Sequence, residues 1–231
     1  MRFGAAGQRT SWSRCLSPVA VGGCPLGELP WCAVSIRIST VDSIGLLEMA
    51  HGKANAFDIV FMKALRQALG QAAQSDARAV VITAAGGIFS AGVDLPSLLE
   101  GGRQYLEEFL PQLSDGLAEL FALPKPVVAA VNGHAIAGGA IIAFACDYRV
   151  MARGPGKIGV PELRVGVPFP LVPAEIIRYA LGDQRAQRAM LVGQVVEADR
   201  AVEEGAGRDL RLRREDAEKV MEPTQSRGHL R

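Results

Sequence analysis

Two glycine-containing loops are the parts of this sequence whose residue types and spacing could perform chemistry. The segment FSAGVDL covers residues 89–95, and GHAIAGG covers residues 133–139. Each follows an apolar run that predicts a buried strand, and each precedes the start of a helix. At such a junction free backbone N–H groups point out of the sheet edge, and the helix dipole behind them favours negative charge. Two such loops on neighbouring strands could therefore stabilise one carbonyl oxygen as an oxyanion.

The spacing alone leaves a second interpretation of these loops open, because the same glycines could simply allow strand and helix to pack closely. Other catalytic motifs do not fit the sequence. No G-x-G-x-x-G follows a strand, and no phosphate-binding G-x-x-x-x-G-K-[ST] is present. Ser90 lacks the G-x-S-x-G frame of a hydrolase nucleophile, since Ile88 occupies the place of the first glycine.

The composition indicates an ordinary globular chain. It has 231 residues, 49% hydrophobic and 21% charged, with a net charge of +1. The near-neutral charge gives no support for a nucleic-acid partner. The longest apolar runs, VVAAV and AIIAFAC, are far shorter than a membrane span. The four cysteines form no Cys-x-x-Cys pair and no histidine follows at zinc spacing, so we expect no metal and reduced thiols in a cytoplasmic protein.

Alternating strands and helices must position the two loops. A hairpin is predicted from VSIRIST and SIGLLEMA, with its turn at residues 41–43. Asp58 is a suitable N-cap for a helix that extends to about Ala73, with Val60, Leu65 and Leu69 near one face.

Further along, residues 78–84 and 127–131 predict buried strands, and a helical region is expected from about 97 to 121. The segments YRVMA and KIGV predict two more strands, followed by helices around 173–181 and 184–191. This alternation predicts an α/β fold.

The two ends differ from the middle. Residues 1–33 have no helical or strand period and are expected to be a disordered extension, with a mitochondrial-type leader as the alternative. The tail, residues 206–231, carries mixed charge; a solvated end is expected there, with a short helix over 209–221 as the alternative.

Five segments stand in a characteristic order and spacing: ANAF (54–57), FSAGVDL (89–95), KPVVAAVNGHAIAGGA (125–140), CDYRV (146–150) and VPELRVGVPFP (160–170). Together they resemble the enoyl-CoA hydratase/isomerase family, the crotonase superfamily. The resemblance covers about residues 34–205, which we take as an acyl-CoA-binding domain, and it implies a spiral of ββα units assembled as a homotrimer or hexamer. Members usually continue past Gly205 with further helices, so the resemblance raises the prospect of a truncated C-terminal helical part.

The resemblance also implies an acyl-CoA thioester as substrate, with its oxygen held between the N–H groups of Val93 and Gly138. Coenzyme A is then part of the substrate, and no separate cofactor is expected. Segment KANAF resembles the segment that lines the CoA nucleotide, so Ala54 and Ala56 are expected to contact the adenine. Lys53 lies near a phosphate or is a plain surface lysine. The implied substrate-binding set also includes Ala91, Asp94, Leu95, Ile141 and Pro161, although the Asp94 side chain is expected to fix the loop rather than react.

The choice of reaction depends on carboxylates. The family's hydratases place two glutamates around the substrate, which suits the orientation of a water and two proton movements. Here Ile141 occupies the first position, and Glu162 occupies the second. One carboxylate can still move a proton between two carbons of an enoyl chain, and burial beside an apolar chain should raise its pKa. The sequence around the site also resembles the Δ3,Δ2-enoyl-CoA isomerase branch.

Alternatives to this assignment stay open at the level of the sequence. Without the resemblance, Glu162 would be interpreted as a loop carboxylate in a surface ion pair with Arg164. Hydration or other thioester chemistry is a second hypothesis, and a non-catalytic CoA-binding member of the family is a third. Acyl-chain length is not predicted.

Overall fold

A β-hairpin opens the part of the chain that the computed structural model describes, which is residues 35–205 and the strand Arg211–Leu212. Strands β1 (Ile36–Val41) and β2 (Ile44–Met49) pair antiparallel, with Val41 opposite Ile44. The turn is Asp42–Ser43, both with positive φ (47° and 67°), which is the geometry of the tight two-residue hairpin turn. The predicted hairpin is confirmed, with a turn one residue shorter than expected.

After the helix α1 (Ile59–Gln74), two strands and a helix recur in order along the chain. This order confirms the predicted α/β class and the succession of ββα units. The short strands at residues 88–90 and 134–136 and the 3-10 helix were not predicted, whereas the short strand at residues 157–159 confirms the strand expected from KIGV. The recurring elements are β3 (Ala79–Ala84), β4 (Ile88–Ser90) and α2 (Leu95–Phe121); β5 (Val127–Val131), β6 (His134–Ile136) and α3 (Gly138–Ala145); then β7 (Tyr148–Ala152), β8 (Lys157–Gly159), the 3-10 helix Glu162–Val165 and α4 (Leu171–Leu181).

The strands form two sheets. One sheet has the order β1-β2-β3-β5-β7, and the other has the order β4-β6-β8 followed by β9 (Val195–Glu197). From β3 onward the first strand of each unit therefore joins the large sheet and the second joins the small one. Helices α5 (Asp183–Val192) and α6 (Ala198–Glu203) complete the region.

Three parallel strands of the small sheet bring the predicted loops to one edge. Strand β4 pairs in parallel with β6, and β6 pairs in parallel with β8, with Ile136 opposite Gly159. The carboxyl ends of these three strands consequently point the same way. The chain leaves them towards Val93, Gly138 and Glu162, so these three residues follow neighbouring strands at one end of the sheet.

Helix α1 packs one face into the core. Asp58 caps it as predicted, since its Oδ1 accepts a hydrogen bond from the Phe61 N–H at 2.6 Å. Leu65 and Leu69 are buried as expected, but Val60 is 62% exposed, and its predicted place on that face is wrong. Val60 precedes Leu69 by nine residues, about two and a half turns, which puts it on the opposite side of the helix.

Helix α2 begins at Leu95, two residues earlier than predicted. Asp94 is its N-cap, and the Asp94 carboxylate accepts hydrogen bonds from the Ser97 hydroxyl at 2.7 Å and the Ser97 N–H at 3.4 Å. The side chain of Asp94 thus fixes the junction between loop and helix. Gly102 (φ 58°, ψ −147°) breaks the helical geometry and divides α2 into a short and a long part.

The tail contributes one strand, β10 (Arg211–Leu212), which pairs in parallel with Met151 and Ala152 at the edge of the large sheet. These two residues form a strand, so they are not part of the helix considered as an alternative for 209–221. Their pairing with β7 depends on a distant segment and could not be predicted from the local sequence. The predicted extension 1–33 and the remainder of the tail lie outside the described residues. Among the helices that the structure describes, none is long and apolar enough to cross a bilayer.

The two faces of α1 give a stability prediction. Phe61 is fully buried and stacks on Phe57 with a ring-centroid distance of 5.0 Å. Replacing Phe61 with Ala should lower the free energy of unfolding by about 3–5 kcal/mol, because it leaves a cavity in the core. The neighbouring change Val60→Ala is the control, and it should cost about 0.5 kcal/mol or less. Urea unfolding measures both, and equal losses would contradict the buried face described above.

Candidate active site

A short parallel ladder joins residues 54–57 to the loop that contains Val93. The Ala91 N–H donates to the Ala54 carbonyl at 2.9 Å, and the Phe57 N–H donates to the Gly92 carbonyl at 2.7 Å. The Asp94 N–H donates to the Phe57 carbonyl at 3.0 Å. In a parallel bridge of this kind the residues on either side of Val93 supply the hydrogen bonds. The N–H of Val93 itself therefore faces away from Phe57.

The second loop turns sharply at Ala137 before α3 begins. Ala137 has φ 53° and ψ −125°, a conformation that non-glycine residues rarely adopt. Its N–H donates to the Gly159 carbonyl at 2.9 Å, and its carbonyl accepts from the Ile141 N–H at 3.1 Å. No side chain caps α3, so the N–H of buried Gly138 stands at the positive end of the helix.

The two loops approach each other at their glycines. A Cβ placed on Gly92 would lie 2.8 Å from the Gly138 nitrogen and 2.9 Å from the Ile136 oxygen. A Cβ placed on Gly138 would lie 2.5 Å from the Phe57 ring. The close-packing interpretation of these glycines is therefore confirmed. It is also compatible with the oxyanion interpretation, because the same closeness brings the Val93 loop against the Gly138 N–H.

Glu162 lies at the start of the 3-10 helix, three residues after β8 ends. It is only 8% exposed, and within the described part of the chain its Oε2 accepts no hydrogen bond. Loss of hydration on burial raises the pKa of Glu162 to about 7, although a hydrogen bond from its own backbone N–H acts in the opposite direction. Because Glu162 is buried and Arg164 is exposed, the surface ion pair considered from the sequence is not what the structure has.

The surroundings of this edge are apolar. All eight residues of α3 are buried, including Ile141, which occupies the first of the two expected carboxylate positions. The neighbours Ala140 and Ile142 are also buried and carry no acid. Among the described residues, Glu162 is the only buried carboxylate. Within the same ranges, no three His, Cys, Asp or Glu residues lie together as a metal site would require.

Most of the other predicted substrate-binding residues lie in or next to the two segments of the ladder, whereas Pro161 lies in the loop after β8. Ala54 and Ala56 are partly exposed, and Lys53 just before them is exposed. The remaining members range from exposed to partly buried: Ala91 and Leu95 are exposed, whereas Val93, Asp94 and Pro161 are partly buried. The ladder brings Ala54, Ala91, Val93 and Asp94 together, and Lys53 stands at the end of the same segment.

Two buried polar residues of the site were not predicted. Asn55 is buried with φ 47°, and its side-chain nitrogen donates to the Ile88 carbonyl at 3.0 Å. Ser90 is completely buried, and its hydroxyl donates to the Asn55 carbonyl at 2.7 Å. An asparagine between two alanines in a loop is a signal for the left-handed conformation, but the bond to Ser90 spans 35 residues and has no local signature.

A third side chain holds the two strand connections together. Asn132 donates from Nδ2 to the carbonyls of Ala84 at 2.7 Å and Gly86 at 2.8 Å. These contacts tie the link between β5 and β6 to the link between β3 and β4. Asn132 consequently fixes the relative position of the strands that lead to the two glycine loops.

Comparison with known proteins adds to this geometry. The sequence profile of the enoyl-CoA hydratase/isomerase family matches residues 39–209. A Thermus thermophilus protein provisionally named an enoyl-CoA hydratase is 42% identical over 128 residues, covering 54% of this chain. The Arabidopsis thaliana protein named enoyl-CoA delta isomerase 1, peroxisomal, is 32% identical over 168 residues, covering 71% of this chain and 70% of its own length.

Solved structures agree with the sequence comparison. An apo structure of an Mtb enoyl-CoA isomerase superimposes with a TM-score of 0.73 at 30% identity, covering 81% of this chain and 80% of the other. The chain spans about half the length of most of the curated relatives that it matches, for example 49% of the Thermus protein. The fold and the family motifs are therefore shared, whereas the activity of the complete relatives is a separate question.

The burial of Glu162 gives a prediction for stability against pH. The folded pKa, about 7, lies above the ordinary value of 4.5, so the folded state favours the protonated acid. Its stabilising effect is fully present below about pH 4.5 and is lost as the pH rises through 7. At about 1.4 kcal/mol per pKa unit, wild type should lose on the order of 3 kcal/mol relative to Glu162→Gln between these limits. Urea unfolding at several pH values measures this difference.

The control for that measurement is Glu203→Gln, which changes an exposed carboxylate in α6. It should follow the wild-type dependence on pH. A Glu162→Gln profile parallel to wild type would show that Glu162 titrates in the folded state as it does in the unfolded chain.

Proposed function

Because this chain belongs to the enoyl-CoA hydratase/isomerase family, we propose that it moves the double bond of an enoyl-CoA thioester, with Glu162 as the base. The observation that carries the proposal is the environment of Glu162. It is a buried carboxylate with a raised pKa, on the loop that leaves the same sheet edge as the Val93 and Gly138 loops. Perturbed carboxylates in such a position are the usual proton carriers of enzyme sites.

The thioester oxygen would be held by the N–H groups of Val93 and Gly138. The Val93 N–H faces away from the ladder with residues 54–57, and the Gly138 N–H begins the buried helix α3. Backbone hydrogen bonds of the protein hold the segments that carry both groups, so the two N–H groups can stabilise developing negative charge at a small reorganisation cost. A thioester bound there becomes easier to deprotonate at the neighbouring carbon, because the resulting enolate places its charge on that oxygen.

Glu162 would then carry the proton. Starting from a 3-enoyl thioester, ionised Glu162 removes a proton from C2, and the electrons move into an enolate with a conjugated double bond. The protonated Glu162 returns that proton to C4, and the product is the 2-enoyl thioester. One carboxylate completes the cycle, and no water is consumed. A pKa near neutrality suits both halves of this task.

Ile141 favours this proton shift over hydration. It occupies the position where the family's hydratases carry their first glutamate, and the adjacent residues of α3 are apolar and buried. An apolar wall there would also help to keep water away from the enolate. Hydration is nevertheless the second candidate function, because the Thermus relative carries a hydratase name. Both reactions would use the same two N–H groups.

The exposed segment at residues 53–56 is proposed to hold the CoA nucleotide. Ala54 and Ala56 are small and partly exposed, which allows the flat adenine to approach the backbone. The exposed ammonium of Lys53 is available to a phosphate. Homotrimeric or hexameric assembly remains a prediction from the resemblance, and cytoplasmic location remains a prediction from the cysteine pattern.

Product analysis tests the reaction directly. Wild-type protein should convert a 3-enoyl-CoA into the 2-enoyl-CoA, and Glu162→Gln should lower kcat by about 10²-fold or more, because the amide cannot accept the proton. Glu203→Gln is the matched control and should retain activity. Chromatography of the CoA products separates the isomers from a 3-hydroxyacyl product. The 2-enoyl-CoA serves as a second substrate, because hydration adds water across its C2–C3 double bond. A 3-hydroxyacyl product from the 2-enoyl-CoA without conversion of the 3-enoyl-CoA would replace isomerisation by hydration, and CoA binding without turnover of either substrate would indicate a non-catalytic protein.

The pKa of Glu162 predicts the pH dependence of the rate. The base must be ionised in the free enzyme, so kcat/KM should rise with pH, reach half of its maximum near pH 7 and then level off. The residual activity of Glu162→Gln should not show this step. A wild-type profile that is flat between pH 5.5 and 8.5 would exclude Glu162 as the group that sets the rate.

A further inference from the structure

We propose that Ser90 is a positioning residue that couples the CoA nucleotide to the N–H of Val93. The proposal rests on the proposed function, since it takes residues 53–56 as the nucleotide site. Ser90 lies outside the reacting groups, and its hydroxyl is already engaged on both sides. It would act by holding the nucleotide-binding segment and the Val93 loop as one unit.

The hydroxyl of Ser90 links the two segments through two hydrogen bonds. It donates to the Asn55 carbonyl at 2.7 Å and accepts from the Gly92 N–H at 3.0 Å. Gly92 directly precedes Val93, and Asn55 lies between the two alanines that are proposed to contact the adenine. A single buried oxygen atom thus connects the proposed nucleotide-binding segment to the loop whose Val93 N–H would donate to the thioester oxygen.

Asn55 makes this connection rigid. Its Oδ1 accepts from the His51 N–H at 2.7 Å, and its own N–H donates to the His51 carbonyl at 3.0 Å. Its Nδ2 donates to the Ile88 carbonyl at 3.0 Å, so the side chain also reaches β4. Asn55 holds a positive φ of 47° that asparagine tolerates better than most residues. The loop that begins at His51 is consequently closed upon itself and fastened to the strand before Val93.

Close packing leaves Ser90 little freedom to move. Its backbone contacts Gly139 so tightly that a Cβ on that glycine would overlap the Ser90 carbonyl. Ser90 therefore also touches the start of α3, next to the Gly138 N–H. When the nucleotide orders residues 53–56, that order can pass through Asn55 and Ser90 to the Val93 loop. Binding energy from a remote part of the substrate would in this way improve the alignment of the donor at the reacting group.

The test compares a complete substrate with a truncated one. The two substrates are a 3-enoyl-CoA and the matching 3-enoyl pantetheine thioester, which lacks the nucleotide. Wild type should favour the CoA substrate in kcat as well as in KM. In Ser90→Ala the ratio of the kcat values for the two substrates should fall by about tenfold, the scale of a lost buried hydrogen bond. A purely structural defect would lower kcat for both substrates by the same factor.

Thr83→Val is the matched control. Thr83 is buried, and its hydroxyl donates to the Ala130 carbonyl at 3.0 Å within the large sheet. This variant removes a hydrogen bond of the same kind from a place that does not join the two segments, so its substrate ratio should equal that of wild type. An unchanged ratio in Ser90→Ala, or no kcat preference for CoA in wild type, would overturn the proposal.

Hydrogen exchange provides a readout that needs no turnover. It therefore distinguishes failure of the coupling through Ser90 from failure of the isomerase proposal. The amides of Ala91 and Asp94 report on the loop, because both donate to the 54–57 segment and neither bond involves Ser90. Adding 3′-phospho-ADP, the nucleotide of CoA, should slow their exchange several-fold in wild type and much less in Ser90→Ala. If the nucleotide leaves exchange at these amides unchanged in wild type, the coupling is absent whatever reaction the protein catalyses. Should Ser90→Ala fail to fold, Ser90→Cys carries the same expectation, because a thiol is a weak hydrogen-bond donor and acceptor in place of the hydroxyl.

Discussion

The parallel ladder between residues 54–57 and 91–94 is the interaction on which the rest of the candidate site depends. It fixes the backbone of Gly92 and Asp94 against Phe57, and this leaves the N–H of Val93 directed to the other side. The ring of Phe57 then lies against Gly138, so the same ladder also sets the distance to the second loop. A Cβ at Gly92 would overlap the second loop, and a Cβ at Gly138 would overlap the Phe57 ring. The glycines serve both packing and the proposed chemistry, because close approach is what brings two N–H groups to one place.

The helix α3 creates the low-dielectric surroundings of this edge. All eight of its residues are buried, and a short helix that is apolar on every side can only be stable inside a core. Burial likewise disfavours a charged carboxylate on the neighbouring loop, and it raises the pKa of Glu162 towards neutrality. The same surroundings strengthen the effect of fixed dipoles on a developing oxyanion. The two electrostatic features of the proposed site therefore both depend on the exclusion of water by burial.

Backbone strain marks the same region. Ala137 holds φ 53° and ψ −125° at the junction between β6 and α3. Residues in such conformations cost on the order of 1–3 kcal/mol and persist only where the surrounding contacts overdetermine them. Here the bond from the Ala137 N–H to Gly159 and the first helical bond from Ile141 hold the residue in place. The unusual conformation of Ala137 turns the chain abruptly, so that the first N–H of α3 stands at the end of the sheet.

The sequence by itself determined the features that depend on local pattern. The hairpin, the Asp58 cap, the buried strands around 79–84 and 127–131 and the position of both glycine loops follow from periodicity and from residues with particular backbone preferences. The tertiary structure alone decided the features that depend on contacts between distant segments: the exposed position of Val60, the burial of Glu162, and the bond from Ser90 to Asn55 across 35 residues. Whether the glutamate of the VPE segment is a surface ion or a buried acid depends on which elements cover it, and no local pattern contains that information. The order of strands in the two sheets brings those elements together, and it thereby converts a plain loop carboxylate into a candidate base.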